Sequence, residues 1–238
     1  KKNYDFEHIA ACVGIKSFCQ NLSNSSTKSS LYSGYSVWRS ILPTNQKNID
    51  FYLGSNFHIV TYPIDAYRSS FVAVIKTNKE NNESWKQKGN YDDLRADLPP
   101  YILDKFTSLK QNTEIYKWGV FTRPILKELC YKNVTFLGDA AHPIVPFMGQ
   151  GACLAMEDAY VFGNLIRKNN NFKKTQKEYQ NIRFSRIKLI HNKSLNQARF
   201  NHLKNPILVF IRNVLMKYTR IISSRTKAIW SYNVTKKL

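Results

Sequence analysis

Cysteine is scarce in this chain and follows no pattern. Cys12, Cys19, Cys130 and Cys153 form no CxxC and no Cys/His ligand spacing in 238 residues. That excludes a disulfide-built secreted scaffold and any metal site legible in the sequence; free thiols in a reducing cytoplasm are expected. Long apolar runs are absent too. The opening "KKNYDFEHIAACVG" lacks the apolar core of a signal peptide. The best spanning candidate, "PILVFIRNVLM", is too short and carries Arg212 in its middle. A cytoplasmic protein, soluble or at most peripheral to a membrane, is therefore expected. No internal repeat of solenoid period is present. GxGxxG is missing as well. The one GxG, Gly149 to Gly151, is followed at the required third position by Leu154, so no glycine loop of the pyrophosphate-cradling kind can be read.

Acidic residues are few: 16 Asp and Glu stand against 36 Lys and Arg, for a net charge of +20. From Arg167 to Leu238 eighteen basic residues face one acid, Glu178. A basic tail of this kind suits a nucleic acid or an anionic membrane surface. The other reading is compositional drift, since Lys, Asn and Ile are abundant throughout. The tail has no nucleic-acid-binding motif, which argues against that partner, whereas peripheral membrane contact stays open. The chain begins with Lys, which suggests a fragment or a trimmed product.

What is present is globular: the hydrophobic fraction is 43% and aromatics make up 13%. Residues 6–20 read as a short strand, a turn at Gly14 and the start of a helix, and 21–30 as a polar connector. "LYSGYSVWRSIL", "IDFYLG", "FHIVTYPI" and "SFVAVIKT" are rich in aromatic and β-branched residues, and their spacing predicts an antiparallel meander. Residues 78–93 read as a polar loop, with a helical turn within it as the alternative. "PPYILDKFTSLKQ" predicts a helix and "EIYKWGVFT" a strand. "NVTFLGD" predicts a buried strand and "GACLAMEDAYVFGNLIRK" a helix, with two or three amphipathic helices after it, the last set apart by Pro206.

The chemistry concentrates between residues 133 and 166. A strand running into Gly138 and Asp139 sets a carboxylate at the strand's C-terminal edge, where open α/β sheets bind ligands. A carboxylate with no lysine or metal partner nearby suits hydroxyl groups of a ribose or ribityl chain. Gly149 and Gly151 let the backbone approach a flat ligand. The helix that follows offers unpaired N–H groups and a positive dipole end to an anion.

"GDAAHPIVPFMGQGACLAMEDA", residues 138–159, resembles the second FAD-binding fingerprint of single-component flavin-dependent aromatic hydroxylases, most closely the salicylate-hydroxylase-like group. "GIKS" at 14–17, "YSGYSVWR" at 32–39, "YPI" at 62–64 and "KWGVFTRPI" at 117–125 follow the same family order. The resemblance implies an α/β protein: a partial FAD-binding, Rossmann-like domain, an antiparallel-sheet substrate domain and C-terminal helices. The implied segments are 1–27, the end of an FAD-binding segment; 28–125, the substrate sheet; 126–170, the second FAD-binding segment; and 171–238, the helical region. The implied activity is hydroxylation of a small aromatic or similarly electron-rich molecule with FAD, NAD(P)H and O2, without a metal. For FAD the resemblance implies Gly14, Gly138, Asp139, Pro146, Gly149, Gln150, Gly151, Ala152 and Cys153. Pro146 and Tyr35 would face the substrate, although a packed sheet tyrosine is an equal reading of Tyr35, which alternates on one face with Val37 and Arg39. No catalytic side chain is implied: His142 reads as loop packing, and Cys153 has no base partner.

Two departures fall on the nucleotide site. The GxGxxG unit that holds the ADP half in this family is missing, and Val13 stands where the family's Asp-Gly motif has its acid. Thr122 also replaces an acid common before the Arg-Pro of this family. The expectation is thus the C-terminal portion of such a monooxygenase, with a separate N-terminal FAD-binding chain as a candidate partner. The alternatives are an inactive remnant of the fold and a basic protein that binds membranes or nucleic acid.

Overall fold

The computed structural model describes residues 5–16, 30–78, 84, 86–111 and 114–238. The expected helical start and polar connector, together with Ser17, Cys19 and part of the 78–93 loop, lie outside them. In chain order the strands and helices are β1 (Ile9–Ala11), β2 (Leu31–Pro43), β3 (Asp50–Gly54), β4 (Phe57–Pro63), β5 (Arg68–Lys76), α1 (Tyr91–Asp97), α2 (Pro100–Leu103), β6 (Tyr116–Thr122), β7 (Cys130–Tyr131), β8 (Val134–Phe136), α3 (Gly151–Lys168), α4 (Phe172–Asn201), α5 (Pro206–Tyr218) and α6 (Ile221–Trp230). They fall into two compact units, one of residues 1–31, 122–197 and 215–238, the other of residues 32–121 and 198–214. The α/β class expected from the sequence is what the structure has.

The second unit is built on a five-stranded sheet in the order β3-β4-β5-β2-β6. The expected simple meander is corrected here. Strands β3, β4 and β5 follow one another as hairpins, but β2 pairs antiparallel with β5, from Tyr35 opposite Lys76 to Pro43 opposite Arg68. Alternation along β2 sends Trp38 and Leu42 into the core and leaves Arg39 and Ile41 exposed. The core gathers Trp38, Ile59, Phe71, Leu94, Leu103 and Leu109. Its edge is tied where the Trp38 indole and Lys117 both donate to Asp97, at 3.0 and 2.9 Å. The helix expected over 99–111 is also corrected. Only α2 is α-helical; the chain then runs as 3-10 turns broken at Phe106 (φ −128°, ψ 51°). That break lets the Phe106 ring meet Phe71 and Tyr52 edge-on, at 5.0 and 5.3 Å.

In the first unit β1 lies parallel to β8, Ile9 opposite Val134 through Ala11 opposite Phe136, and β7 closes the other side of β8 antiparallel. Every residue of β8 is buried, Thr135 between Val134 and Phe136 included, as expected for a strand covered on both faces. Val161, Phe162 and Leu165 of α3 and Tyr179 and Ile187 of α4 pack over it. The Tyr179 hydroxyl donates to the Phe136 carbonyl at 3.2 Å. Helix α3 begins and ends where the sequence puts it. Pro206 opens α5 rather than the last helix; α6 follows it. Not every basic residue of the C-terminal region is at the surface: Arg183, Arg186 and Arg212 are buried.

Candidate functional site

Strand β8 stops because the backbone turns over at Gly138, whose φ of +57° is open to glycine and strained for other residues. A Cβ at that position would also meet the Ala155 Cβ of α3 at 3.2 Å. Residues Gly138–Ala140 form a 3-10 turn that leaves Asp139 exposed between buried neighbours. Val145 leads into a second 3-10 turn, Pro146–Met148, which ends on Gly149 in the left-handed region. Helix α3 starts two residues later. Its N-cap, Gln150, makes no side-chain capping bond, and no acid occupies the first turn. The leading N–H groups are therefore available to an anion, with the dipole end behind them.

The turn is held from beneath by buried charge. The Asp158 carboxylate accepts from the Gly138 N–H at 2.9 Å, from His142 Nε2 at 2.5 Å and from Arg183 Nε at 2.8 Å. Burial works against its charged form, but the His142 hydrogen bond, the pull of His142 and Arg183 and the Gly138 N–H together hold its pKa below the ordinary carboxylate value. Arg183 also reaches Glu157 at 2.7 Å, and Glu157 binds Arg186 at 2.9 Å, so two acids and two bases balance inside the fold. On the other side the buried Arg123 donates through Nη2 to the carbonyls of Asp139 and Ala140. Burial lowers its pKa to about 10 against the opposing charge of Asp139. Its Nε and Nη1 have no acceptor among the described residues. Such buried donors call for water or a ligand atom. Thr122 donates to the Pro143 carbonyl at 3.3 Å, an anchor for the same loop.

One pocket of about 350 Å³ opens onto this turn, lined by Cys12, Gly14, Leu137, Gly138, Asp139, Gly151, Ala152, Ala155 and Ala159. Of the residues expected at a cofactor, Gly14, Gly138, Asp139, Gly151 and Ala152 are brought together there. Pro146, Gly149, Gln150 and Cys153 lie on the adjoining loop and first helical turn but do not line it. Tyr35 belongs to the other unit, half-buried with its ring 5.5 Å from that of His202. His142 is 1% exposed and committed to Asp158. Cys12, Cys130 and Cys153 are free thiols.

Sequence reasoning missed Asp158, Arg183 and Arg123, which set the turn. A usable signal was present in the Glu157–Asp158 dyad, the only acids of α3, and in Arg183 and Arg186 on the packing face of α4.

The lining fits part of an FAD molecule. Cβ atoms built at Gly14 and Gly151 would meet nothing within 4 Å, so these positions leave room rather than fill it. The exposed carboxylate suits ribityl or ribose hydroxyls, and the helix end suits the negative edge of a flavin ring. The adenosine diphosphate half has no such match, because the sequence contains no glycine fingerprint for it.

Residues 7–171 match the model of the FAD binding domain family. A 3-hydroxybenzoate 6-hydroxylase of Polaromonas naphthalenivorans is 30% identical over 171 residues, covering 70% of this chain and 42% of that protein. Among solved structures, a salicylate hydroxylase in a substrate complex superimposes with a TM-score of 0.81 at 18% identity, over 98% of this chain and 64% of its own. Klebsiella pneumoniae HpxO complexed with FAD and uric acid gives 0.77 at 24% identity, over 94% and 60%. These two structures bear on the fold alone. The chain spans about half the length of the curated relatives it matches.

Proposed function

The chain belongs to the FAD binding domain family, and from that premise we propose that it forms the flavin-facing and substrate-facing part of an aromatic hydroxylase. The observation that carries this reading is a single pocket onto which both the exposed Asp139 carboxylate and the uncapped N-terminus of α3 open. Bound FAD would supply the redox chemistry, taking electrons from NAD(P)H and activating O2 toward a small aromatic substrate.

This chain's own residues do the positioning. Asp139 accepts hydrogen bonds from the ribityl or ribose hydroxyls. The N–H groups of Gly151, Ala152 and Cys153 stabilise negative charge on the ring edge. Gly149 and Gln150 carry the backbone past the ring, and Gly14 keeps the opposite wall free of a side chain. Pro146 and Tyr35 are assigned to the substrate by resemblance. The segments 1–27, 28–125, 126–170 and 171–238 are the corresponding division of labour, and an N-terminal dinucleotide-binding unit is the partner that completes the cofactor site.

An inactive remnant is the competing reading, favoured by Val13, an exposed side chain that cannot accept a hydrogen bond. The visible spectrum after gel filtration separates the two. Flavin bands retained by the chain mixed with FAD and an N-terminal unit, with substrate-stimulated NAD(P)H oxidation, support the hydroxylase. No retained flavin under those conditions refutes it.

A further inference from the structure

Helix α5 is built inside out. Its inward side carries Val209, Arg212 and Met216, with Arg212 buried and donating to the carbonyls of Phe200 and Asn201 at 3.3 and 3.1 Å. The outward side carries Ile207, Phe210, Ile211, Val214 and Tyr218, spaced i, i+3, i+4, i+7 and i+11. Phe210 and Ile207 are each 69% exposed and Tyr218 71%. Leu208 and Leu215, also exposed, widen the stripe. A helix of a soluble protein normally turns such a stripe to the core. Here it faces out along about 20 Å of helix, a contiguous apolar surface of the kind that marks an interaction site.

Charge indicates what covers it. Lys204 precedes the helix, and Lys217 and Arg220 close it, all exposed. From Arg199 to Leu238 the sequence has nine basic residues and no acid. An apolar stripe bordered by cations is what an anionic lipid surface binds: the side chains enter the headgroup boundary while lysine and arginine meet the phosphates. No helix among the described residues is long and apolar enough to cross a membrane, so α5 would lie in the interface.

We propose that α5 docks this protein on an anionic bilayer surface. The buried Arg212 belongs to this arrangement: it fixes the helix to the protein through backbone carbonyls and so leaves the apolar side free for lipid.

The test is flotation of the 238-residue chain with vesicles of phosphatidylcholine and of a phosphatidylcholine–phosphatidylserine mixture. Binding to the mixed vesicles is expected to be roughly tenfold tighter or more, and to weaken as salt is raised. Phe210→Ser with Val214→Ser should abolish binding with an unchanged melting temperature. Lys204→Glu with Lys217→Glu should remove the preference for anionic lipid. Equal binding to both vesicles, or parental binding by the serine variant, overturns the proposal. Lipid-free self-association lost in the serine variant assigns the face to a second copy and overturns it too. So does an N-terminal FAD-binding unit that competes with vesicles for this face.

Discussion

Replacing Asp158 with alanine tests whether buried charge sets the turn that carries Asp139. The carboxylate is fully buried and accepts from Gly138, His142 and Arg183. Alanine leaves the Gly138 N–H without an acceptor and removes one of the two acids facing Arg183. Removing one member of a buried pair typically costs about 3–5 kcal/mol. Arg183 keeps Glu157 at 2.7 Å, so the low end applies, about 3 kcal/mol. For a chain of this size that lowers the melting temperature by about 6–12 °C. Asp158→Asn keeps an oxygen for the Gly138 N–H and should fall between parent and alanine. Circular dichroism melts at neutral pH give the comparison. The sign with pH follows from the lowered pKa: the contribution is present above the ordinary carboxylate value of 3.8 and is lost as pH falls below it. An alanine variant melting within about 2 °C of the parent at neutral pH would refute the reasoning.

Gly138→Ala should cost about 1–2 kcal/mol in a denaturant titration, because φ is +57° and the new Cβ crowds Ala155. Gly151→Ala should do the reverse, leaving stability unchanged or raised by about 0.5–1 kcal/mol, while its methyl group enters the pocket and weakens FAD retention. Asp139→Ala should lower the melting temperature by no more than about 2 °C, since the side chain is exposed and its charge only partly offsets the burial of Arg123, and weaken FAD binding about tenfold or more in a flavin fluorescence titration with the N-terminal unit supplied. In the other unit, His58 Nδ1 and His202 Nε2 lie 2.7 Å apart. Burial and then His202 push His58 down to about 3, and burial and then Lys76 push His202 down to about 4. Both are neutral when folded and titrate near 6.5 when unfolded. Their contribution is therefore whole above that value and erodes as pH falls toward 4. A His58→Gln/His202→Gln variant should show a flatter melting profile over this range.

The strand and helix around the site were legible because their signals are local. A short β-branched and aromatic run ending at Gly138 makes β8, and Gly149 and Gly151 beside a helical period fix the start of α3. Tertiary contacts overruled local pattern elsewhere. The helix over 99–111 breaks where Phe106 is drawn into the core, and β2 joins β5 rather than its chain neighbour β3, a non-local pairing that no local pattern announces. The basic count of the last seventy residues was visible, but not that Arg183, Arg186 and Arg212 are internal partners.

The kind of ligand this loop suits can be read from the residues alone, because an acid, glycines and a helix start in one short ordered string need no distant partner to be recognised. How that string is held emerges from the folded chain, through Asp158 and Arg183 from two helices and Arg123 from beyond β6. The direction in which α5 faces likewise follows from packing. Periodicity defines a stripe on a helix, but what the opposite side packs against determines whether that stripe meets the core or the solvent.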